Sequence, residues 1–485
     1  MNTVLPISTS TSTPFPDGLA LAARIRQGEL SPVEALAEAI ARLEAVNPQL
    51  NAVAEKLYAQ AEQSVAQGLA QGPFHGVPML IKDLFTPVAG ARMTNGSLLL
   101  KDNVMPFDAE LVTRIRKAGF NLFGTTTSPE FGSSYTTESR LFGASRNPWS
   151  LDHICGGSSG SAAALVAARV LSIAHGNDGG GSLRVPASAC GVFGLKPSRG
   201  LTPMGPAVGE GWAGMGTGHV ISISVRDSAA VLDQLAGIDL GAPYAAPHHR
   251  QSFLSAVTGE APTGLRIGLV RQISPWPTHP DCLEAVNKTA ALCQELGHHV
   301  EETTLPVEAL AFYDNVFTII GSQTRSLMNF LGRMAGHPMD EQLLEARHRL
   351  ILREKGHLSG ADYAAAVDEM HAFGRRMAAL MQRFDVLLNP TMAQPPMRIG
   401  TMSVNEDQSI QDLVQTFHSF SPFTALFNAS GQPAMSVPLH WNAAGLPIGS
   451  HFAAAFGGET LLYALAAQLE QAAPWAHRRP PVCAS

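Results

Sequence analysis

The chain has 485 residues, 45% hydrophobic and 15% charged, and reads as a soluble globular protein with room for one large core or two. A net charge of −7, with no basic cluster longer than Arg478-Arg479, excludes nucleic acid and membrane surfaces as partners and leaves small-molecule chemistry. Five scattered cysteines, an odd number without a C-x-x-C pair, exclude a disulfide framework and point to a reducing, cytoplasmic compartment.

Residues 1–17 are rich in Ser, Thr and Pro and lack the basic and apolar regions of a signal peptide, so they read as a flexible tail. Residues 18–485 are then expected to form a single domain. Ser31-Pro32-Val33-Glu34 combines an N-cap, a proline at the first helical position and a capping-box glutamate, and predicts a helix to about Val46. From Phe74 to Thr125 apolar runs alternate with a helix near Ala109 to Ala118, as in βαβ units. Within that interval, Gly76-Val-Pro-Met-Leu-Ile-Lys82-Asp83 sets Lys82 at the end of an apolar strand, although lysines number only seven against 26 arginines. Desolvation disfavours the ammonium form, so such a lysine can act as a base toward a serine; it can also simply snorkel and pair with Asp83.

Two glycine loops with serines follow, Gly156-Gly157-Ser158-Ser159-Gly160 and Gly179-Gly180-Gly181-Ser182, and glycine lets several N–H groups converge on one point. The apolar run Ala162 to Ala174 between them predicts a buried helix with Gly176 near its C-terminal end. Gly156-x-Ser158-x-Gly160 fits a nucleophile elbow of the α/β-hydrolase kind, or a plain helix-start loop. Ser182 fits a nucleophile or a helix N-cap. Cys155 and Cys190 border these loops and read as packing residues. The Gly-, Pro- and Met-rich loop from Gly200 to Gly218, carrying Trp212, is placed beside the site.

Further on, Ile238 to Gly264 reads as a connection, Leu265 to Val270 as a strand, Pro280 to Leu296 as an amphipathic helix, and about 306–384 as a helical, substrate-shaping cap. Strands are expected near Phe384 to Thr391, Asn428 to Pro438 and Gly445 to Gly449, with a last helix from Gly458. The 17 histidines show no H-x-x-x-H spacing, so no metal is expected, and no nucleotide fingerprint occurs, so no cofactor is expected.

Together the segments Gly76 to Asp83, Gly156 to Gly160, Asp178 to Arg184 and Pro186 to Pro197 resemble the amidase signature family of serine hydrolases, over about Leu19 to Trp475. The resemblance implies an α/β fold, a large mixed twisted sheet covered by helices on both faces. It also implies hydrolysis of small, apolar or aromatic amides. Ser182 would be the acylated nucleophile, Ser158 a bridging serine on a cis bond from Gly157, and Lys82 the base. Backbone N–H groups of Gly179, Gly180, Gly181 and Ser182 would form the oxyanion hole, and Asp178 with Arg184 an ion pair bracing that loop. Ser161 and Gly179 depart from the family pattern; the glycine at 179 suggests a wider mouth. The run from Ala174 to Ser182 is similar to members acting on cyclic 6-aminohexanoate dimers, aryl acylamides or urethanes, which makes a carbamate a second substrate class. The amidase subunit of an amidotransferase and an esterase using Ser158 are the alternatives, and the resemblance allows a homodimer.

Overall fold

The computed structural model describes residues 15–484. Its main sheet has eight strands in the spatial order His299–Glu302, Arg266–Leu269, Val386–Pro390, Pro447–Ala454, Ala434–Trp441, Phe193–Lys196, Thr217–Ser222 and Ile173–Asp178. The first three run parallel and the remaining pairs are antiparallel, so the sheet is mixed. Side-chain alternation divides its residues between two cores. Leu387, Ala434 and Ala453 pack with Ile319, Phe373 and Met377, whereas Val386, Leu388, Met435 and Phe452 pack with Val286, Leu462 and Tyr463. Every residue of Val386–Pro390 and Pro447–Ala454 is buried, as a sheet covered on both faces requires. Each large apolar side chain so buried contributes about 1.5–3 kcal/mol.

A second sheet has three strands, with Asn121–Thr126 between Val53–Lys56 and Pro78–Lys82. Pro78–Lys82 and Asn121–Thr126 run parallel, and the helix Glu110–Lys117 lies on the crossover between them, the predicted βαβ unit. The two sheets meet where the Lys82 backbone N–H donates to His175 Nδ1 at 3.2 Å. That junction brings Lys82, at a strand end, beside the strand that leads into the second glycine loop.

The capping box at Ser31 is formed, with Glu34 N–H donating to Ser31 Oγ and the Glu34 carboxylate accepting from Ser31 N–H. Its helix runs to Leu50, past the predicted Val46, and stops where Asn51 turns left-handed at φ 52. The expected tail falls mostly outside the described residues. Asp17 at its end is anchored, accepting from Ala20 N–H and pairing with Arg226 at 2.5 Å.

One expected element is corrected. The helix after the first glycine loop spans only Gly160–Ala167, and residues 173–178 form a strand, with Gly176 opposite His219. Arg169 adopts φ 61, and its guanidinium donates to the carbonyls of Val166 and Ala167, tying off the helix end. An apolar run buried on all sides carries no periodicity that separates helix from strand. The interval 306–384 holds the helices Ala309–Ala335, Ala346–Lys355 and Gly360–Leu380, the last with a Ser359–Asp362 capping box. Among the described residues no helix is long and apolar enough to cross a membrane.

Candidate active site

Strand Pro78–Lys82 ends with the Lys82 side chain fully enclosed, and burial pushes its amine well below the ordinary lysine range, against the opposing pull of Asp178. Three oxygens surround Nζ: Ser158 Oγ at 2.7 Å, Ser159 Oγ at 3.0 Å and Asn177 Oδ1 at 2.6 Å. Asn177 Nδ2 donates to Leu84 O at 2.8 Å, which fixes Oδ1 as the atom facing the lysine. Ser159 Oγ donates its own proton to Asn177 O at 3.1 Å, so toward Nζ it accepts. A neutral amine has two N–H donors and one lone pair. In that neutral form, with Asn177 and Ser159 taking both donors, the lone pair is free to accept from the Ser158 hydroxyl; the ammonium instead donates to Ser158 Oγ.

The Gly157–Ser158 peptide bond is cis. Glycine is required before it, because a Cβ at Gly157 would lie 2.3 Å from Thr136 O. Cys155 and Cys190 are buried and free, and burial raises the Cys155 thiol to about 12 and Cys190 well above its usual value, consistent with packing. Ser161, one of the two departures from the family pattern, is buried in a hydroxyl cluster with Thr127 and Ser145.

The second loop is held from inside by Asp178. Its carboxylate accepts from Gly181 N–H at 2.7 Å, Leu183 N–H at 3.0 Å and Arg184 Nε and Nη2, both at 2.9 Å. Burial alone would raise this carboxyl; the Arg184 charge and hydrogen bonds outweigh it and hold Asp178 well below the carboxylate range. Arg184 also donates to Thr424 O and Asn428 Oδ1, so loop, ion pair and the helix Thr424–Ala429 form one buried unit. Ser182 lies at the start of the helical turn leading into Arg184–Cys190 and is 5% exposed; among the described residues its hydroxyl has no hydrogen-bond partner. Of the four N–H groups expected to face an oxyanion, that of Gly181 is instead committed to Asp178. The N–H groups of Gly179, Gly180 and Ser182 have no acceptor among the described residues.

The predicted Lys82 and Ser158 are joined directly, and Asp178 and Arg184 pair as expected. Several contacts escaped sequence reasoning. Tyr135 OH and Thr424 Oγ1 donate to Gly180 O at 3.3 and 2.6 Å, and Asn428 Nδ2 donates to Asp178. Asn177 could have been found as the polar residue directly before the predicted Asp178, at the end of the strand Ile173–Asp178. The wider mouth expected at Gly179 is also corrected: a Cβ there would lie 2.8 Å from Trp212 Cε3, so the indole occupies that space.

Known proteins of one family are similar to this chain in sequence and fold. The Amidase family profile matches residues 34–463. The 6-aminohexanoate-cyclic-dimer hydrolase of Paenarthrobacter ureafaciens is 37% identical over 478 residues, covering 96% of each chain. A solved structure of 6-aminohexanoate cyclic dimer hydrolase complexed with substrate superposes with a TM-score of 0.90 at 36% identity, covering 96% of this chain and 99% of that one. A bacterial aryl acylamidase of the amidase signature family gives 0.85 at 29% identity, covering 96% and 97%. Fold and relatives define a hydrolase of amide C–N bonds. Within that class, the chain belongs to the amidase signature family.

Proposed function

We propose that the protein hydrolyses small, apolar or aromatic amides through an acyl-enzyme on Ser182, with Ser158 and Lys82 as a proton relay. The observation that carries this reading is the fully enclosed Lys82 amine with Ser158 Oγ 2.7 Å from Nζ and Asn177 and Ser159 as its other two partners. The relay passes the Ser158 proton to Lys82 and the Ser182 proton to Ser158 as Ser182 Oγ attacks the carbonyl carbon. The resulting oxyanion is met by the unpartnered N–H groups of Gly179, Gly180 and Ser182, each worth about 3 kcal/mol when aimed at the developing charge. Collapse breaks the C–N bond, and the relay run backwards delivers a proton to the departing amine. Water then enters by the same route and releases the acid.

Relatives named for the cyclic dimer of 6-aminohexanoate and for aryl acylamides support two substrate classes, a cyclic oligoamide and an anilide. Carbamates and esters present the same carbonyl to the same groups. The test is turnover of 6-aminohexanoate cyclic dimer, 4-nitroacetanilide and a matched carbamate anilide by wild type and Ser182→Ala. Ser182-dependent turnover of an amide by the single purified chain supports the reading and removes any need for amidotransferase partner subunits. Equal rates in wild type and variant on all three contradict it.

A further inference from the structure

Trp212 lies against the loop that carries the unpartnered N–H groups. A Cβ built on Gly179 would meet Trp212 Cε3 at 2.8 Å and Cζ3 at 2.9 Å, so the benzenoid edge of the indole packs where any other residue at 179 would place its side chain. The ring is held there by its own backbone. Trp212 and Ala213 adopt φ values of 51 and 53, in the left-handed region that L residues other than Asn and Asp seldom occupy. Trp212 N–H donates to Gln323 Oε1 at 2.8 Å, and Gln323 Nε2 donates in turn to Tyr363 OH at 3.2 Å. Gln323 and Tyr363 belong to the helices Ala309–Ala335 and Gly360–Leu380. Two helices of the 306–384 interval thus fix an indole beside the oxyanion loop.

The ring is not sealed into the core. Trp212, Gly179, Gly180, Gln323 and Tyr363 are all half-buried, so each keeps some accessible surface. Among the described residues the indole N–H has no acceptor, so this half-buried ring keeps an unused donor. A flat apolar face with an unused donor at its rim, next to the N–H groups that receive the carbonyl oxygen, is suited to a second planar group on the substrate. We propose that Trp212, positioned by Gln323 and admitted by Gly179, is a specificity-determining wall that selects amides carrying a second planar group, an aryl ring or another amide, near the scissile bond. This rests on the function proposed above and adds to it the residue that makes the selection.

The test uses two primary amides whose carbonyls are electronically matched, 3-phenylpropanamide and 3-cyclohexylpropanamide, followed by ammonia release. Aromatic stacking beyond area burial predicts a preference for the phenyl amide of about two- to tenfold in kcat/KM, expressed in KM. Trp212→Leu abolishes the preference, read as the phenyl-to-cyclohexyl ratio of kcat/KM, Trp212→Phe retains part of it, and Gly179→Ala loses it by displacing the indole. In the double variant Gly179→Ala with Trp212→Leu, selectivity falls no further than in either single variant. Melting curves establish that each variant is folded. A phenyl preference that persists in folded Trp212→Leu, or losses from Gly179→Ala and Trp212→Leu that simply add, overturns the proposal while Ser182-dependent hydrolysis stands. Turnover that does not depend on Ser182 overturns the underlying function instead.

Discussion

Lys82 Nζ and Asn177 Oδ1 are 2.6 Å apart inside the protein, and the asparagine is held in that orientation by the carbonyl of Leu84. A neutral acceptor here binds one N–H of the amine without favouring the charged form as strongly as a carboxylate would. Asn177→Asp places a charge in contact with Lys82 and stabilises the ammonium. The base form then appears only at higher pH, so the acid limb of the kcat/KM profile moves up and activity at pH 7 falls at least about tenfold. An unchanged pH profile in Asn177→Asp would show that Lys82 is not the titrating base.

Asp178 and Arg184 are both fully enclosed, so removing one leaves an uncompensated charge. Arg184→Met is expected to destabilise by about 3–5 kcal/mol, read as the denaturant midpoint. Asp178 has a depressed carboxyl, so its stabilising contribution is complete above the unfolded aspartate range near ~4 and is lost as pH falls toward the folded value. Stability measured from pH 5 downward should fall less steeply in Asp178→Asn than in wild type.

A buried chain of hydrogen bonds links the helix Ala346–Lys355 to the segment beneath Ser158. Ser133 Oγ meets His348 Nε2 at 2.7 Å, His348 Nδ1 meets Glu130 Oε2 at 2.6 Å, and Glu130 also accepts from Ser97 Oγ and Glu345 N–H. Burial would raise Glu130, but the charge and hydrogen bond of His348, with the other donors, hold it below the usual range. Its contribution is therefore present above the unfolded glutamate range and lost as pH falls through the folded value. His348→Ala leaves the carboxylate short of its partner and should cost about 3 kcal/mol. Limited proteolysis between Gly336 and Glu345 should then be faster than in wild type; equal rates and equal melting would refute the tie.

Gly181 adopts φ 138, and a Cβ there would lie 2.4 Å from Thr424 Oγ1. Gly181→Ala therefore pushes the second glycine loop off the Thr424–Ala429 helix, and if that loop receives the oxyanion as proposed, kcat is expected to fall about 100-fold with KM changed less. A loss confined to KM would contradict the placement of the donors.

Lys82, Ser158, Ser182, Asp178 and Arg184 stand in short motifs that the family resemblance singles out, and the structure joins Lys82 to Ser158 and Asp178 to Arg184. What the sequence did not carry are contacts made across the fold. Arg184 reaches Asn428 over 244 positions and Thr424 over 240, and nothing local at 424 or 428 marks them as loop supports. The change from the helix Gly160–Ala167 to the strand Ile173–Asp178 was hidden because Ala162 to Ala174 is buried throughout, and such an apolar run loses the alternation that separates strand from helix. Gly179 was read as an open position because its neighbour in space, Trp212, lies 33 residues away in a loop with no regular pattern.

Which serine becomes acylated separates the proposed relay from a nucleophile elbow at Ser158. Reaction of the wild-type protein with a fluorophosphonate probe, followed by peptide mass mapping, reads this directly. The structure, with Ser158 facing Lys82 and Ser182 beside the unpartnered N–H groups, predicts one adduct per chain on Ser182 and none in Ser182→Ala. An adduct on Ser158 that survives in Ser182→Ala would contradict the relay and restore the elbow reading of Gly156 to Gly160.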